Sequence, residues 1–111
     1  MADSKADLDA LFHALGDPTR RAIVERLSER PYSVSALAEP LGVTVTAVGQ
    51  HLQILEAAGL VRTEKLGRVR TAQIDHAGLD RLDRWTRRRR SIWDTRLNLL
   101  GEIAAGKDDD A

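Results

Sequence analysis

Apolar positions in this chain recur at intervals of three and four over most of its length and change to alternation in one place only. Residues 4–15 carry Leu8, Leu11, Phe12 and Leu15, the stripe of an amphipathic helix, and Gly16 closes it. Asp17-Pro18 opens a second helix, with Asp17 as N-cap and Pro18 at the first helical position, where its missing N–H costs nothing. That helix runs to about Glu29, presents Ala22, Ile23 and Leu27, and ends before Pro31. A short extended piece, Tyr32-Ser33, leads to a third helix from about Ser35 to Leu41, buried through Leu37, Ala38 and Leu41. Gly42-Val43 makes a tight turn, Thr44 caps a fourth helix over Val45–Ala58, and Gly59 stops it. Leu60–Leu66 and Val69–Ile74 then read as two strands of a hairpin about Gly67-Arg68. Asp75 can cap a last helix, about 76–105, and residues 106–111 are expected outside the fold. The pattern predicts a mainly α protein with one small β-hairpin (α+β), in the order α-α-α-α-β-β-α.

Composition limits what such a chain can do. With 111 residues, 42% of them hydrophobic and 4% aromatic, it reads as one small domain whose core is built from Leu, Val, Ile and Ala. A domain of this size buries only about 65% of its unfolded surface, so a dimer interface would help to stabilise it. The 17 basic and 17 acidic residues cancel, but they are unevenly placed. Between Arg62 and Arg96 eleven basic residues meet five acidic ones, while the acidic surplus lies at Asp3, Asp7, Asp9 and Asp108–Asp110. A basic stretch inside a neutral chain points to a local polyanion site. The absence of cysteine removes disulfides, thiolate nucleophiles and cysteine-based metal or redox chemistry. No apolar run approaches membrane-spanning length and the polar N-terminus is unlike a signal peptide, so a cytoplasmic protein with no membrane partner is expected.

Residues 34–58 have the mechanics of a helix-turn-helix: a short helix, a glycine turn and a second helix. In the second, Val48, Leu52, Leu55 and part of Ile54 face inward, followed by Leu60. The opposite face offers Thr46, Gly49, Gln50 and Gln53, with Val45 at the start. These residues are small or uncharged, unlike the Lys/Glu mixture of an ordinary solvated helix. Gln matches adenine with one donor and one acceptor, and Thr offers thymine both a hydroxyl and a methyl. Gly49 weakens the helix by about 1 kcal/mol, and close approach to DNA is one compensation. Alone, this face also suits a polar surface helix, and the hairpin tip with Lys65, Arg68 and Arg70 also suits a solvated loop. Together, in succession, they fit a groove-reading helix beside a basic wing that reaches phosphates or a minor groove.

The last helix repeats Leu79, Leu82, Trp85, Ile92, Trp93, Leu97, Leu100 and Ile103 at helical spacing. Two tryptophans on one stripe carry too much apolar area to leave in water. A dimer interface formed by helices 4–15 and 76–105, through Leu8, Leu11, Phe12, Trp85, Ile92, Trp93, Leu97 and Leu100, accounts for them; a monomeric core or a pocket for an apolar effector is the rival reading. Arg87–Arg90 interrupt the stripe, so Arg89 must snorkel or pair, and Asp83 and Asp94 stand at helical spacing from Arg87 and Arg90.

On these residues the chain resembles the ArsR family of winged helix-turn-helix repressors. The resemblance is carried by Ala14-Leu15-Gly16-Asp17-Pro18-Thr19-Arg20-Arg21-Ala22-Ile23-Val24, by Ser35-Ala36-Leu37-Ala38, by the run from Ala47 to Val61 (AVGQHLQILEAAGLV), and by the wing at Gly67-Arg68. It spans roughly residues 8–75 and implies a homodimer, joined by the first and last helices, on an imperfect palindrome of double-stranded DNA near a promoter. The family's best-known sensor places two cysteines in a Leu-Cys-Val-Cys-Asp-Leu pattern. Here the matching stretch is Tyr32-Ser33-Val34-Ser35-Ala36-Leu37, whose serines are poor ligands for soft metals. The family's other site uses Asp, His and Glu on the final helix, whose body from Ala77 onward has no histidine.

No cofactor is therefore expected. His13 and His76 are weak candidates for a nickel or zinc site across a dimer interface, with Asp17, Asp75 or Asp80; surface histidines are the simpler reading. His51 matches a histidine of the family's recognition helix and suits packing or a phosphate contact. The expectation is a sequence-specific regulator without enzymatic activity, one domain over residues 1–111, its helix-turn-helix at about 34–58 and its wing at about 60–74. It reads DNA through Val45, Thr46, Gly49, Gln50 and Gln53, grips the backbone through Lys65, Arg68 and Arg70, and adds phosphate contacts from Arg20 or Arg21. A metal-, small-molecule- or partner-responsive regulator, including an activator, is the alternative.

Overall fold

The computed structural model describes residues 4–109, and side chains over residues 4–104. Four helices come first: α1 (Lys5–Leu15), α2 (Pro18–Glu29), α3 (Val34–Leu41) and α4 (Val45–Ala57). A hairpin of β2 (Val61–Leu66) and β3 (Val69–Ile74) follows, and α5 (His76–Asp109) ends the chain. Each boundary has a local cause. Ser4 caps α1 in a reciprocal box with Asp7, and the carboxylate of Asp17 accepts the Arg20 N–H at the start of α2. Ser33 and Thr44 accept the N–H groups of Ala36 and Ala47 at the starts of α3 and α4. The ends of α3 and α4 share one device. Gly42 and Gly59 take positive φ, 67° and 76°, and the residue after each donates back to a carbonyl five positions earlier.

Two features differ from the sequence expectation, the strand at Tyr32–Ser33 and the length of α5, while the expected stop at Gly16 has a steric cause. Tyr32–Ser33 is a third strand, β1, lying antiparallel on β3, so the sheet order is β1-β3-β2. A two-residue strand carries no alternation of its own; it exists because β3 offers a free edge. Gly16 ends α1 with right-handed geometry, φ −70°. What favours glycine there is crowding, since a Cβ would stand 3.3 Å from the carbonyl oxygens of Phe12 and His13. The last helix, α5, continues to Asp109 rather than stopping near 105. Adding turns to a helix already wound costs little. Residues 110–111 of the expected tail lie outside the described residues.

The core lies where α1–α4 meet the sheet. Leu11, Ile23, Leu37, Val48, Leu55, Leu60 and Val61 are wholly buried, each worth about 1.5–3 kcal/mol relative to exposure. Leu55 and Leu60 bracket the turn at Gly59, so the cap that ends α4 also aims β2 away from it. Where α5 begins, Gly78 touches Gly59 backbone to backbone, its N–H donating to the Gly59 carbonyl at 2.7 Å. Among the described residues, no helix is long and apolar enough to cross a membrane.

Candidate nucleic-acid interface

On α4 the burial divides the helix lengthwise. Val48, Leu52 and Leu55 are buried, Ile54 is half-buried, and Thr46, Gln50 and Gln53 are exposed, as is Val45 in the first turn. Gly49 lies between these faces, and a Cβ there would meet no atom within 4 Å. The exposed strip is therefore uncharged and has no side chain at its middle.

Beside it stands the β2–β3 hairpin, in the register Val61↔Ile74 through Leu66↔Val69. Gly67 at φ 63° turns the chain, while Arg68 keeps a negative φ; positive φ at the first central residue alone suits the twist of a two-residue hairpin. Lys65, Arg68 and Arg70 are all exposed. The hairpin is tied to α4 at its base. The Glu56 carboxylate accepts the Thr63 N–H at 3.1 Å and lies 3.3 Å from the Thr63 hydroxyl, to which Arg70 Nη1 donates at 3.4 Å. A cleft of about 320 Å³, lined by Ser33, Val34, Ser35, Val45, Arg68, Val69 and Arg70, separates the hairpin from the first turns of α3 and α4. Three residues singled out from sequence, Val45, Arg68 and Arg70, thus meet around one opening. Leu66 and Val69, not among the residues expected from sequence at the site, are exposed at 64% and 52% on the hairpin tip; alternation marks them only as strand residues.

The two arginines of α2 are employed otherwise than expected. Arg20 is only 9% exposed, and its guanidinium donates to the carbonyls of Ala14 at 2.7 Å and His13 at 2.9 Å. Arg21 donates to the Leu15 carbonyl at 2.7 Å. Both donate to the last carbonyls of α1, of which that of His13 also accepts the Gly16 N–H at 3.2 Å. Arg20 is thereby a buried structural cation rather than a phosphate ligand, and Arg21, though exposed, is occupied by the same task. Behind them, His51 of α4 puts its Nδ1 3.5 Å from Arg20 Nη1 and 3.9 Å from Asp17 Oδ2. The Arg20 N–H, then the charges of Arg20 and His51, hold the Asp17 carboxyl below its ordinary range against the opposing effect of burial.

Along α5, Trp85 packs edge-on against Phe12 of α1, ring centres 5.2 Å apart, and the Arg89 guanidinium lies 4.8 Å over the same indole. Arg87 pairs with Asp83 at 3.0 Å. Beyond these residues the stripe is uncovered among the described residues: Ile92, Trp93, Leu97, Leu99, Leu100 and Ile103 are 43–61% exposed. Leu8 is half-buried, whereas Leu11 is wholly buried among the core residues. Leu11 is therefore a core residue and not a contact residue; its neighbour Phe12, 44% exposed, is the one that faces outward. His13 and His76 are exposed on α1 and at the start of α5, and among the described residues no three of His, Cys, Asp and Glu converge to hold a metal ion. A second cavity, about 310 Å³, lies between α2, β3 and α5 and is lined by Leu27, Ser28, Pro31, Gln73, Ile74, His76 and Leu79; neither tryptophan borders it.

Comparison with known proteins agrees with this arrangement. A helix-turn-helix domain family matches residues 15–64. The HTH-type transcriptional regulator Rv2034 of Mycobacterium tuberculosis is 48% identical over 84 residues, covering 71% of this chain and 78% of its own length. An ArsR-like transcriptional regulator from Rhodococcus sp. RHA1 superposes with a TM-score of 0.79 at 37% identity, covering 91% of this chain and 93% of that one. The homodimeric winged helix-turn-helix DNA-binding domain of Mb0332 from Mycobacterium bovis superposes with a TM-score of 0.62 at 26% identity, covering 87% of this chain and 94% of that one. These likenesses point to transcriptional regulation and not to an enzyme. On the combined strength of sequence identity, coverage and superposition, the chain belongs to the ArsR family of winged helix-turn-helix transcriptional regulators.

Proposed function

We propose that the protein is a homodimeric, cytoplasmic repressor, folded as one winged helix-turn-helix domain, that binds a palindromic promoter site on double-stranded DNA. The observation that carries this reading is the juxtaposition on one surface of the uncharged strip of α4 and the arginine-tipped hairpin across the cleft at Val45. In it, α4 enters the major groove and Thr46, Gln50 and Gln53 meet base edges, with Val45 against a thymine methyl and Gly49 allowing close approach. Lys65, Arg68 and Arg70 hold the sugar-phosphate backbone, which fixes register and carries no sequence information. The uncovered stripe of α5 with Phe12 joins two copies, placing two reading helices about one DNA turn apart, roughly 34 Å. Occupancy of the promoter then blocks polymerase.

The reading is tested on a duplex from the region upstream of the protein's own gene, against a scrambled duplex. Gln50→Ala is expected to weaken the upstream site by about 1–3 kcal/mol and relax base preference, whereas Arg68→Ala weakens both duplexes and lowers the salt slope by about 1. Equal losses for both variants on both duplexes would overturn this division of labour.

A further inference from the structure

We infer that Leu66 and Val69, the apolar pair at the hairpin tip, enter the minor groove beside the reading helix and favour A·T over G·C pairs there; the inference rests on the DNA-binding role proposed above. The starting point is an apolar pair where a solvated turn would be polar. Leu66 and Val69 oppose each other in the last register of the hairpin, both are more than half exposed, and neither joins the core. Side chains alternate across a strand, so these two share one face, and the next pair, Lys65 and Arg70, shares the other. The buried Val61 and Ala72 lie on the face of Lys65 and Arg70. The apolar pair therefore stands on the side of the ribbon away from the core.

Charge and position choose the occupant. Lys65 precedes the pair, Arg68 lies inside it and Arg70 follows it, a setting that favours a polyanion. β2 is an edge strand, but Arg62, Glu64 and Lys65 give it the charges that discourage pairing with a second strand. The tip also continues the surface assigned to DNA. Val45 of α4 lines one wall of the cleft, Arg68, Val69 and Arg70 line the other, and Leu66 is not in its lining. In B-DNA one sugar-phosphate strand divides the major groove from the minor. With α4 in the major groove, that strand fills the cleft between Ser33 and Ser35 and the two arginines, and the tip beyond it lies over the minor groove. Val69 then meets the sugar wall and Leu66 the groove floor. There every base pair presents acceptors, and G·C adds the 2-amino donor of guanine. Leucine and valine offer no acceptor, so a G·C pair beneath them buries that donor without a partner.

The full chain is tested on three versions of the upstream duplex, in which the pairs flanking the protected half-sites are A·T, G·C or inosine·C. Inosine keeps the major-groove edge of guanine and lacks its minor-groove amino group. Binding to the G·C flanks is expected to be about fivefold weaker than to the A·T flanks, and the inosine flanks should restore it. Leu66→Ser combined with Val69→Ser should bind all three versions alike, and Leu66→Ala alone should narrow the difference. Gln50→Ala should bind each version more weakly and keep the difference. Equal binding of the wild type to A·T and G·C flanks, inosine flanks bound as poorly as G·C, or a preference that survives in the double variant would each overturn the inference. So would loss of self-association by the double variant in sedimentation equilibrium, which would assign the pair to a second copy. A protein that treats upstream and scrambled half-sites alike yet keeps the flank preference would support the role of the tip and overturn that of α4.

Discussion

Arg20 and Arg21 are adjacent in sequence and both donate to carbonyls at the end of α1, yet their surroundings set very different energies. Arg20 is buried with two short carbonyl bonds and a contact to His51; its removal takes the guanidinium donors from both carbonyls and leaves that of His13 with the Gly16 N–H. Arg20→Ala is expected to cost about 2–4 kcal/mol in urea unfolding, and Lys should restore little of it, since an ammonium cannot span both carbonyls and the imidazole. Arg21→Ala removes one exposed bond and should cost less than about 1 kcal/mol. Comparable losses would show that the buried network adds nothing. From sequence, Arg20 or Arg21 is expected at a phosphate, because a cation near a helix start suits that contact as well as it suits a carbonyl. Which carbonyls the chain folds over them depends on α1 turning back across α2, and no local pattern encodes that.

The elements were legible where a cap or turn residue has a single physical use. Asp17-Pro18, Thr44, Gly59 and Gly67-Arg68 stand at the boundaries their chemistry requires, and the uncharged face of α4 is solvent-facing as its spacing indicated. The extended conformation of Tyr32-Ser33 was legible but its pairing as β1 was not, because its partner Ala72 lies far along the chain and two residues make no period. Glycines inside helices were the other blind spot, since their spacing says nothing about what lies opposite. At Gly49 there is open space, so Gly49→Ala should raise stability by about 1 kcal/mol in thermal unfolding. If that glycine lets DNA come close, the same variant loses affinity for the upstream duplex while gaining stability; a gain in both would show the position to be an ordinary surface one. Gly78 is the reverse case. A Cβ there would lie 2.6 Å from the Gly59 carbonyl oxygen, and backbone cannot swing aside as a side chain does. Gly78→Ala is expected to cost about 1–3 kcal/mol, read by the same melt.

At the scale of the molecule, one helix dominates the outline. The chain measures 75 × 31 × 21 Å, and the 34 residues of α5 give a rod of about 50 Å. Its apolar stripe was plain in the sequence, and so was its likeness to an interface; that Leu11 belongs to the interior was not, because burial from both sides looks the same as burial from one. Trp93, 59% exposed, sits in the uncovered part of the stripe. Trp93→Glu should weaken self-association by at least about 2 kcal/mol in sedimentation equilibrium and leave the melting of the single subunit within about 0.5 kcal/mol of the wild type. An unchanged dimer would remove the stripe from the interface.

The Gly59–Gly78 contact joins the end of α4 to the base of that rod. Trp85 on Phe12 holds α5 a second time, two turns further on, so the proximal part of the rod is fixed to the body at two places. Only the turns beyond it, about 36 Å of helix, act as an arm. A tilt of that arm by about 5° would carry its far end through roughly 3 Å, so a partner gripping the distal turns has leverage on the indole contact first.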